Sequence, residues 1–349
     1  MERAISLAQN AISLLEIIRR VYLKNKFINN MALKFDHFED SNSWLDKIDI
    51  KQLYIKFKEN GYSIVEKFIP EVELLKIYQD SVSKMHSGEI DVKNWRHDLG
   101  SHQKATYKNV ENTGQIMWPS DRIEGLANSP LHKRGLKLSR SLLGNDLDFD
   151  FDMLIYKDAF TGGKHVNKKI NCLPGQQGET PWHQDESYWP SGMTKIEDNS
   201  IHAKFFPGRS ITIWLALDDV NEFNGCLWFL PGSHKKILRK HRTASKNSHV
   251  LTTDELDEIQ KGLAHPVPLN KGDAVFWTGR TLHYANGNYT ENLRRTYIVN
   301  YRPRKSIEFE RSNGFDHLKN GFKNFNPSET AGDVYKDVNV NYKFDNQGF

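Results

Sequence analysis

The sequence predicts a mainly β protein with packed helices, its strands closed into a jelly roll. Three observations carry that expectation. The first third reads as helices separated by loop. From Asp148 onward short β-rich runs take over. Turn residues then punctuate those runs at close intervals.

Asp49 is placed to cap a helix that runs through Lys58 and stops at Asn60-Gly61, a glycine-terminated end. Tyr62 to Glu66 alternates as a short strand. Pro70 opens a second amphipathic helix carrying Val72, Leu75 and Tyr78 on its apolar stripe. Residues 87 to 125 lack a clear period and read as loop with short strands, and a helix spans Pro130 to Leu143, ending at Gly144. The predicted strands are Phe149 to Tyr156, Ile211 to Leu217, Leu227 to Leu230, Ala274 to Trp277 and Thr296 to Arg302. Gly162-Gly163, Asn224-Gly225, Pro231-Gly232 and Lys271-Gly272-Asp273 separate them. A helix from Thr252 to Gly262 interrupts, with Thr252 and Glu255 spaced as a capping box. No internal repeat is visible. Three regions follow: an N-terminal helical extension over 1–48, a jelly-roll domain over 49–305 and an irregular tail over 306–349.

The 349 residues, with 38% hydrophobic content, suffice for one large domain with decoration. Lys+Arg 48 against Asp+Glu 44 gives a net charge of +4, too mild to imply nucleic acid. Cys172 and Cys226 are the only cysteines, which argues for a reducing compartment and against a disulfide scaffold. No apolar run approaches the roughly 20 residues of a membrane span. A cytoplasmic protein is therefore expected. Residues 4–23 have helical spacing with Arg3, Arg19, Arg20 and Lys24 around them, read as a helix packed on the body. The alternative is an organellar presequence, a reading that Glu2 and Glu16 weaken.

The chemistry starts at Pro181-Trp182-His183-Gln184-Asp185. On extended backbone, side chains at i and i+2 point the same way, so His183 and Asp185 can reach one ion. A second histidine would complete a 2-His-1-carboxylate triad, which leaves one side of an Fe(II) ion open. Fourteen histidines are available. His283 stands out, because the buried run Val275-Phe276-Trp277 precedes it and about 100 residues separate it from Asp185. By pattern alone, a lone histidine near a strand end is more often a satisfied core residue. His234 sits in a turn, Pro231-Gly232-Ser233-His234, and His37 with Glu39 lies in the polar extension; neither is read as a ligand.

Four segments together resemble the phytanoyl-CoA dioxygenase family of Fe(II)/2-oxoglutarate-dependent oxygenases. They are Met153-Leu154-Ile155-Tyr156-Lys157; Trp182 to Asp185 with Tyr188-Trp189-Pro190; Trp214 to Asp219 running into Asn224 to His234; and His283 followed by Asn286 and Arg294. The resemblance covers roughly residues 55 to 305 and implies a double-stranded β-helix, a cupin-like jelly roll. It implies that His183, Asp185 and His283 hold Fe(II). It implies that Arg294, eleven positions beyond the distal histidine, clamps the far carboxylate of 2-oxoglutarate. Guanidinium suits that task, since its planar fork binds a carboxylate bidentately. Arg295 is the rival, but adjacent strand residues face opposite sides. Lys157, Met153 and Trp214 match positions lining the same co-substrate, and Trp189 resembles an aromatic wall beside it. A carboxylate at Asp185, where related halogenases carry a small residue, favours an oxygen-driven oxidation.

The implied activity is hydroxylation, desaturation or oxidative cyclisation of a small metabolite by O₂, with release of succinate and CO₂, as in biosynthesis and secondary metabolism. Lys164, Arg122 and Arg209, in or near insertions around the expected mouth, point to a carboxylate-bearing substrate. The cluster Lys164, Lys168, Lys169 equally reads as a solvated face, and Trp118, Trp182 and Trp228 read as core or wall. Three alternatives stand beside this reading. One is an acyl-CoA or lipid hydroxylase of the same family, one a non-redox cupin-like metal enzyme, and one an inactive binding protein.

Overall fold

The computed structural model describes residues 35, 38, 41–99, 113–159, 178–189, 202, 206, 209–244, 250–254, 256–312 and 314–321. A short helix α1 (Ser41–Leu45) precedes α2 (Ile50–Asn60). The Asp49 carboxylate accepts the Gln52 backbone N–H at 2.9 Å, and Gly61 closes the other end at φ 86. Strand β1 (Tyr62–Val65) follows, then α3 (Val72–Ser87). Val72 is 74% exposed, unlike the buried Leu75 and Tyr78, so the apolar stripe of α3 starts later than its sequence pattern predicts. The aperiodic region holds β2 (Arg96–Asp98) and β3 (Gly114–Met117), and α4 (Pro130–Leu143) has its expected bounds.

The strand-rich part contains β4 (Leu147–Lys157), β5 (Thr180–His183), β6 (Ile211–Ala216), β7 (Leu227–Phe229), β8 (Arg242–Thr243) and β9 (Leu251–Thr252). Helix α5 (Glu258–Gly262) leads to β10 (His265–Val267), β11 (Ala274–Trp277), β12 (His283–Ala285) and β13 (Arg294–Pro303). The expected capping box is not used. Thr252 belongs to β9, and Asp257 caps a shorter α5 by accepting the Gln260 N–H at 2.7 Å. The region expected to be an irregular tail opens in a helix, α6 (Arg304–Ser312). Buried ion pairs from Arg302 to Asp150 and Glu310 fasten that helix to the sheet, a long-range attachment that composition does not reveal. Residues 4–23 lie outside the described residues. Among those described, no helix is long and apolar enough to cross a membrane.

Two antiparallel sheets form the jelly-roll core. The larger has the order β1-β11-β6-β13-β4-β3-β2, the smaller β10-β7-β12-β5. Alternation splits the larger sheet into two faces. Leu154, Tyr156, Ile213, Leu215, Phe276, Tyr297 and Val299 point outward onto Phe57, Leu75, Tyr78 and Leu138 of the helices. Trp214, Ala216, Val275, Trp277 and Ile298 point inward and meet Cys226, Phe229, Val267 and Ala285 of the smaller sheet.

Candidate metal centre

His183 ends β5 and His283 begins β12, and the two are direct cross-strand partners. Cross-strand pairing puts their side chains on one face, with ring centroids 4.1 Å apart. Asp185 is not on a strand, contrary to the simplest reading of the H-x-D spacing. It opens a 3-10 turn (Asp185–Tyr188), but Gln184 before it is extended at φ −122, ψ 127, which keeps His183 and Asp185 on the same side. Gln184 is fully buried. Its Nε2 donates to Arg280 O at 2.7 Å and its Oε1 accepts from Arg239 N at 3.0 Å. The next residue, Glu186, pairs with Arg280 at 2.6 Å, tying the turn to the segment that delivers His283.

Asp185 Oδ1 lies 3.5 Å from His183 Nε2 and 3.4 Å from His283 Nε2. Donors about 2.0–2.2 Å from a divalent first-row ion and at right angles to each other sit about 3 Å apart. The observed spacing is therefore close to what a shared ion requires. His183 Nδ1 bonds to Pro181 O at 2.7 Å and His283 Nδ1 to Thr281 O at 2.9 Å. A carbonyl only accepts, so each Nδ1 carries a proton and each ring presents its Nε2 to Asp185. Burial, helped by His283, lowers the His183 pKa and keeps that ring neutral. Burial opposes ionisation of Asp185, yet His283 and His183 hold its pKa well below the usual carboxylate range. Two imidazoles and a carboxylate form the donor set that suits Fe(II).

Sequence reading missed the groups behind this constellation. Trp277 Nε1 donates to Asp185 Oδ2 at 2.9 Å, and Thr212 Oγ1 donates to the same oxygen at 3.1 Å. His241, near both ligands, accepts from Gln184 N at 3.1 Å, and burial lowers its pKa to about 4. The one signal available was Trp277 itself, since a buried indole N–H needs a partner.

Arg294 and Lys157 face each other across β13 and β4. Both are buried, at 2% and 1% exposure. The Arg294 guanidinium lies over the Trp214 ring, 5.4 Å from its centroid. Its Nε has no hydrogen-bond partner, and no carboxylate among the described residues is within ion-pair distance. Burial lowers its pKa to about 10. Burial and then Arg294 also lower that of Lys157, whose ammonium donates to Asn286 O. Gly225, at φ 91, permits this crowding, because a Cβ there would come 2.5 Å from Asn286 O and 3.1 Å from Lys157 Cδ. Two adjacent buried basic side chains, with no carboxylate among the described residues in ion-pair distance, fit a dicarboxylate such as 2-oxoglutarate. Arg295 turns outward and pairs with Asp218 at 2.6 Å.

The other expected site residues divide. Met153 is on the inner face, its sulfur accepting from Gln115 Nε2 at 3.1 Å. Trp189 is not beside Arg294. It packs against Arg302, 4.5 Å from ring centroid to guanidinium, and eight residues of β13, roughly 26 Å of strand, separate the two arginines. Arg209 is not at a mouth either, because it forms a two-pronged pair with Asp146 at 2.7 and 2.6 Å and caps Leu143 O at 2.8 Å. Arg122 lies over the Trp95 ring at 3.9 Å with its Nε unpartnered. Lys164 is outside the described residues.

A family model described as phytanoyl-CoA dioxygenase (PhyH) matches residues 57–296. The chain is similar to a phytanoyl-CoA dioxygenase domain-containing protein 1 homolog of Dictyostelium discoideum, 24% identical over 268 residues that span 70% of this chain and 88% of that one. It is also similar to a probable alpha-ketoglutarate-dependent hypophosphite dioxygenase of Stutzerimonas stutzeri, 25% identical over 70% of this chain and 76% of that one. Among solved structures, EvdO2 from Micromonospora carbonacea var. aurantiaca, complexed with 2-oxoglutarate, shares the fold. The TM-score is 0.54 at 23% identity, over 74% of this chain and 91% of that chain.

Proposed function

The chain belongs to the phytanoyl-CoA dioxygenase (PhyH) family, and from that premise we propose that His183, Asp185 and His283 hold its iron while Arg294 and Lys157 seat 2-oxoglutarate. It is a non-haem iron dioxygenase that uses 2-oxoglutarate, and family membership sets aside a non-redox enzyme or an inactive binding protein. Iron and 2-oxoglutarate supply the oxidising chemistry, with O₂ consumed and succinate and CO₂ released. The observation that carries the residue assignment is the pairing of two features in the layer between the sheets, one on the smaller sheet and one on the larger. A triad of facing donor atoms lies there with a buried Arg294–Lys157 pair that lacks an internal anion.

The protein's own part is positioning and exclusion of water. Pro181 O and Thr281 O fix the histidine tautomers, and Phe229 and Trp277 pack on the His283 ring at 5.8 and 5.0 Å. Trp214 forms a wall under the guanidinium.

The substrate in this reading is a small anionic metabolite, carboxylate-bearing, that is hydroxylated, desaturated or cyclised. Similarity to a relative named for hypophosphite, a small anion, supports that class, and so does Arg122, whose Nε is unpartnered although its Nη2 lies 3.9 Å from Asp121. An acyl-CoA substrate is the second reading, favoured by the family's description. The test is an anaerobic titration of the Fe(II)–2-oxoglutarate enzyme with small carboxylates, phosphonates and acyl-CoA esters. A shift of the charge-transfer band with a small anion, followed by stoichiometric succinate on admitting O₂, is the expected result. A response to acyl-CoA esters alone would replace the small-anion reading.

A further inference from the structure

The Asp185 carboxylate has two oxygens with different surroundings. Oδ1 faces the two imidazole Nε2 atoms at 3.5 and 3.4 Å. Oδ2 is turned away and accepts from Trp277 Nε1 at 2.9 Å and Thr212 Oγ1 at 3.1 Å. Thr212 Oγ1 in turn meets Asn300 Nδ2 at 2.8 Å. The direction of this chain is forced. An ionised carboxylate only accepts, so the single hydroxyl proton of Thr212 goes to Asp185. Thr212 then offers Asn300 nothing but lone pairs, so the amide must present its NH₂ and point its Oδ1 elsewhere. Asn300 is fully buried and its Oδ1 has no partner. An unsatisfied buried acceptor weakens a fold. Stability alone gives no reason to keep it.

We propose that Trp277, Thr212 and Asn300 are positioning residues that hold Asp185 as a one-oxygen ligand, with Oδ1 toward iron and Oδ2 held off it. The inference rests on the assignment of Asp185, His183 and His283 as the iron ligands. A six-coordinate ion with three protein donors has three positions left, two for a chelating keto acid and one for O₂. A carboxylate bound through both oxygens would take one of those three. Two donors fixed on Oδ2, from β11 and β6, prevent that rotation. None of the three residues is placed to touch the ion, so each acts through Asp185.

The test uses the full chain with Co(II) as a spectroscopic probe in Thr212→Val, Thr212→Ser, Trp277→Phe and Asn300→Leu. Loss of a group supporting a ligand typically weakens metal affinity about 10- to 100-fold. Thr212→Val and Trp277→Phe are expected to fall in that range and to show an altered Co(II) d–d spectrum. Thr212→Ser, which keeps the hydroxyl, is expected to retain wild-type affinity and spectrum. Asn300→Leu should bind Co(II) more weakly without being less stable to heat, since it also removes the unpaired acceptor. The near-isosteric Thr212→Val and Thr212→Ser pair keeps the test decisive where the tryptophan variant fails to fold. Folded Thr212→Val with wild-type Co(II) affinity and spectrum would overturn the proposal. His283→Ala identifies which idea has failed. If it loses Co(II) while Thr212→Val does not, only the positioning role falls; if it binds Co(II) normally, the iron-ligand assignment falls and takes this inference with it.

Discussion

Replacing Arg294 with Met separates two effects of a buried guanidinium. Without a paired counter-ion the charge is held at a disadvantage: burial pushes its pKa down from the ordinary guanidinium range to about 10. At 1.36 kcal/mol per unit this corresponds to roughly 3 kcal/mol. Arg294→Met keeps most of the volume and removes the charge, so the protein without co-substrate is expected to become more stable, by about 1–3 kcal/mol. Binding should move the other way. Loss of one partner from a buried charge pair costs about 3–5 kcal/mol, although the neighbouring Lys157 offsets part of it. A 2-oxoglutarate Kd about 100- to 1000-fold weaker is the expected result, with metal affinity unchanged. Anaerobic calorimetry on the Mn(II)-loaded protein reads the affinity, and thermal unfolding with and without 2-oxoglutarate reads the stability. A Kd within threefold of wild type would refute the clamp assignment. A less stable co-substrate-free variant would refute the electrostatic argument.

Three further outcomes follow from the geometry. Gly225→Ala forces a side chain into a φ of 91 and against Asn286 O and Lys157, so weaker 2-oxoglutarate binding and a lower Tm are expected; unchanged affinity by calorimetry would show that Lys157 is not positioned from this turn. Trp189→Ala should leave the 2-oxoglutarate Kd within threefold and alter the KM of whatever substrate is found, because the indole lies at the Arg302 end of β13; a large loss of co-substrate affinity would contradict that placement. Arg302→Met should unfold more easily at neutral pH, by up to about 3–5 kcal/mol, because it leaves Asp150 and Glu310 with only Arg311 and His317 as partners. Burial opposes ionisation of these two carboxyls, but Arg302 and His317 hold their pKa values below the ordinary 3.8 and 4.5. Their contribution is complete above those unfolded values and is lost as pH falls through the depressed folded ones. The stability gap to wild type should therefore shrink in acid; a gap measured by denaturant unfolding that does not change with pH would sink this account.

What was legible in the sequence followed from local physics. Asp49 and Gly61 mark the ends of α2 because caps act within one turn, and Pro130 and Gly144 do the same for α4. Long strands such as β4 and β13 stand out by composition. The three-residue strands β7, β10 and β12 are too short for a period to register, and only the first was anticipated as a run. The order of the strands is invisible in any window, which is why Trp277, Thr212 and Asn300 went unread: three strands bring them to one carboxylate. His183 and Asp185 were legible as a pair because only an extended Gln184 lies between them. His283 was singled out by the buried run before it and by the family resemblance rather than by any spacing, since its partner His183 is a cross-strand neighbour far earlier in the chain. The cation readings fared unevenly for a related reason. Arg209 and Arg302 look like surface or pocket arginines until the carboxylates that neutralise them, Asp146 for one and Asp150 with Glu310 for the other, are placed in space.

That contrast supplies an internal control for the proposed site. β13 carries Arg294 near one end and Arg302 near the other, buried to 2% and 0% exposure. Both guanidiniums stack on a tryptophan, Trp214 in one case and Trp189 in the other. Desolvation acts against both charges. Yet Arg302 has its pKa raised, because Asp150 and Glu310 more than offset burial, while burial takes that of Arg294 down to about 10 against the opposing charge of Asp218, which is itself engaged by Arg295. The fold therefore neutralises a buried arginine on this very strand when that arginine is structural. Burial alone does not explain Arg294, and neither does the tryptophan beneath it, since Arg302 has both. What differs is the counter-ion: internal at one end of the strand, and at the other end to be brought in. A second basic side chain, Lys157, is placed at the end where no carboxylate among the described residues forms an ion pair, which is the reverse of what a stability-driven core would do. Seen this way the co-substrate is also an electrostatic component of the fold, and its binding should stabilise the barrel more than the contacts of a neutral ligand of equal size.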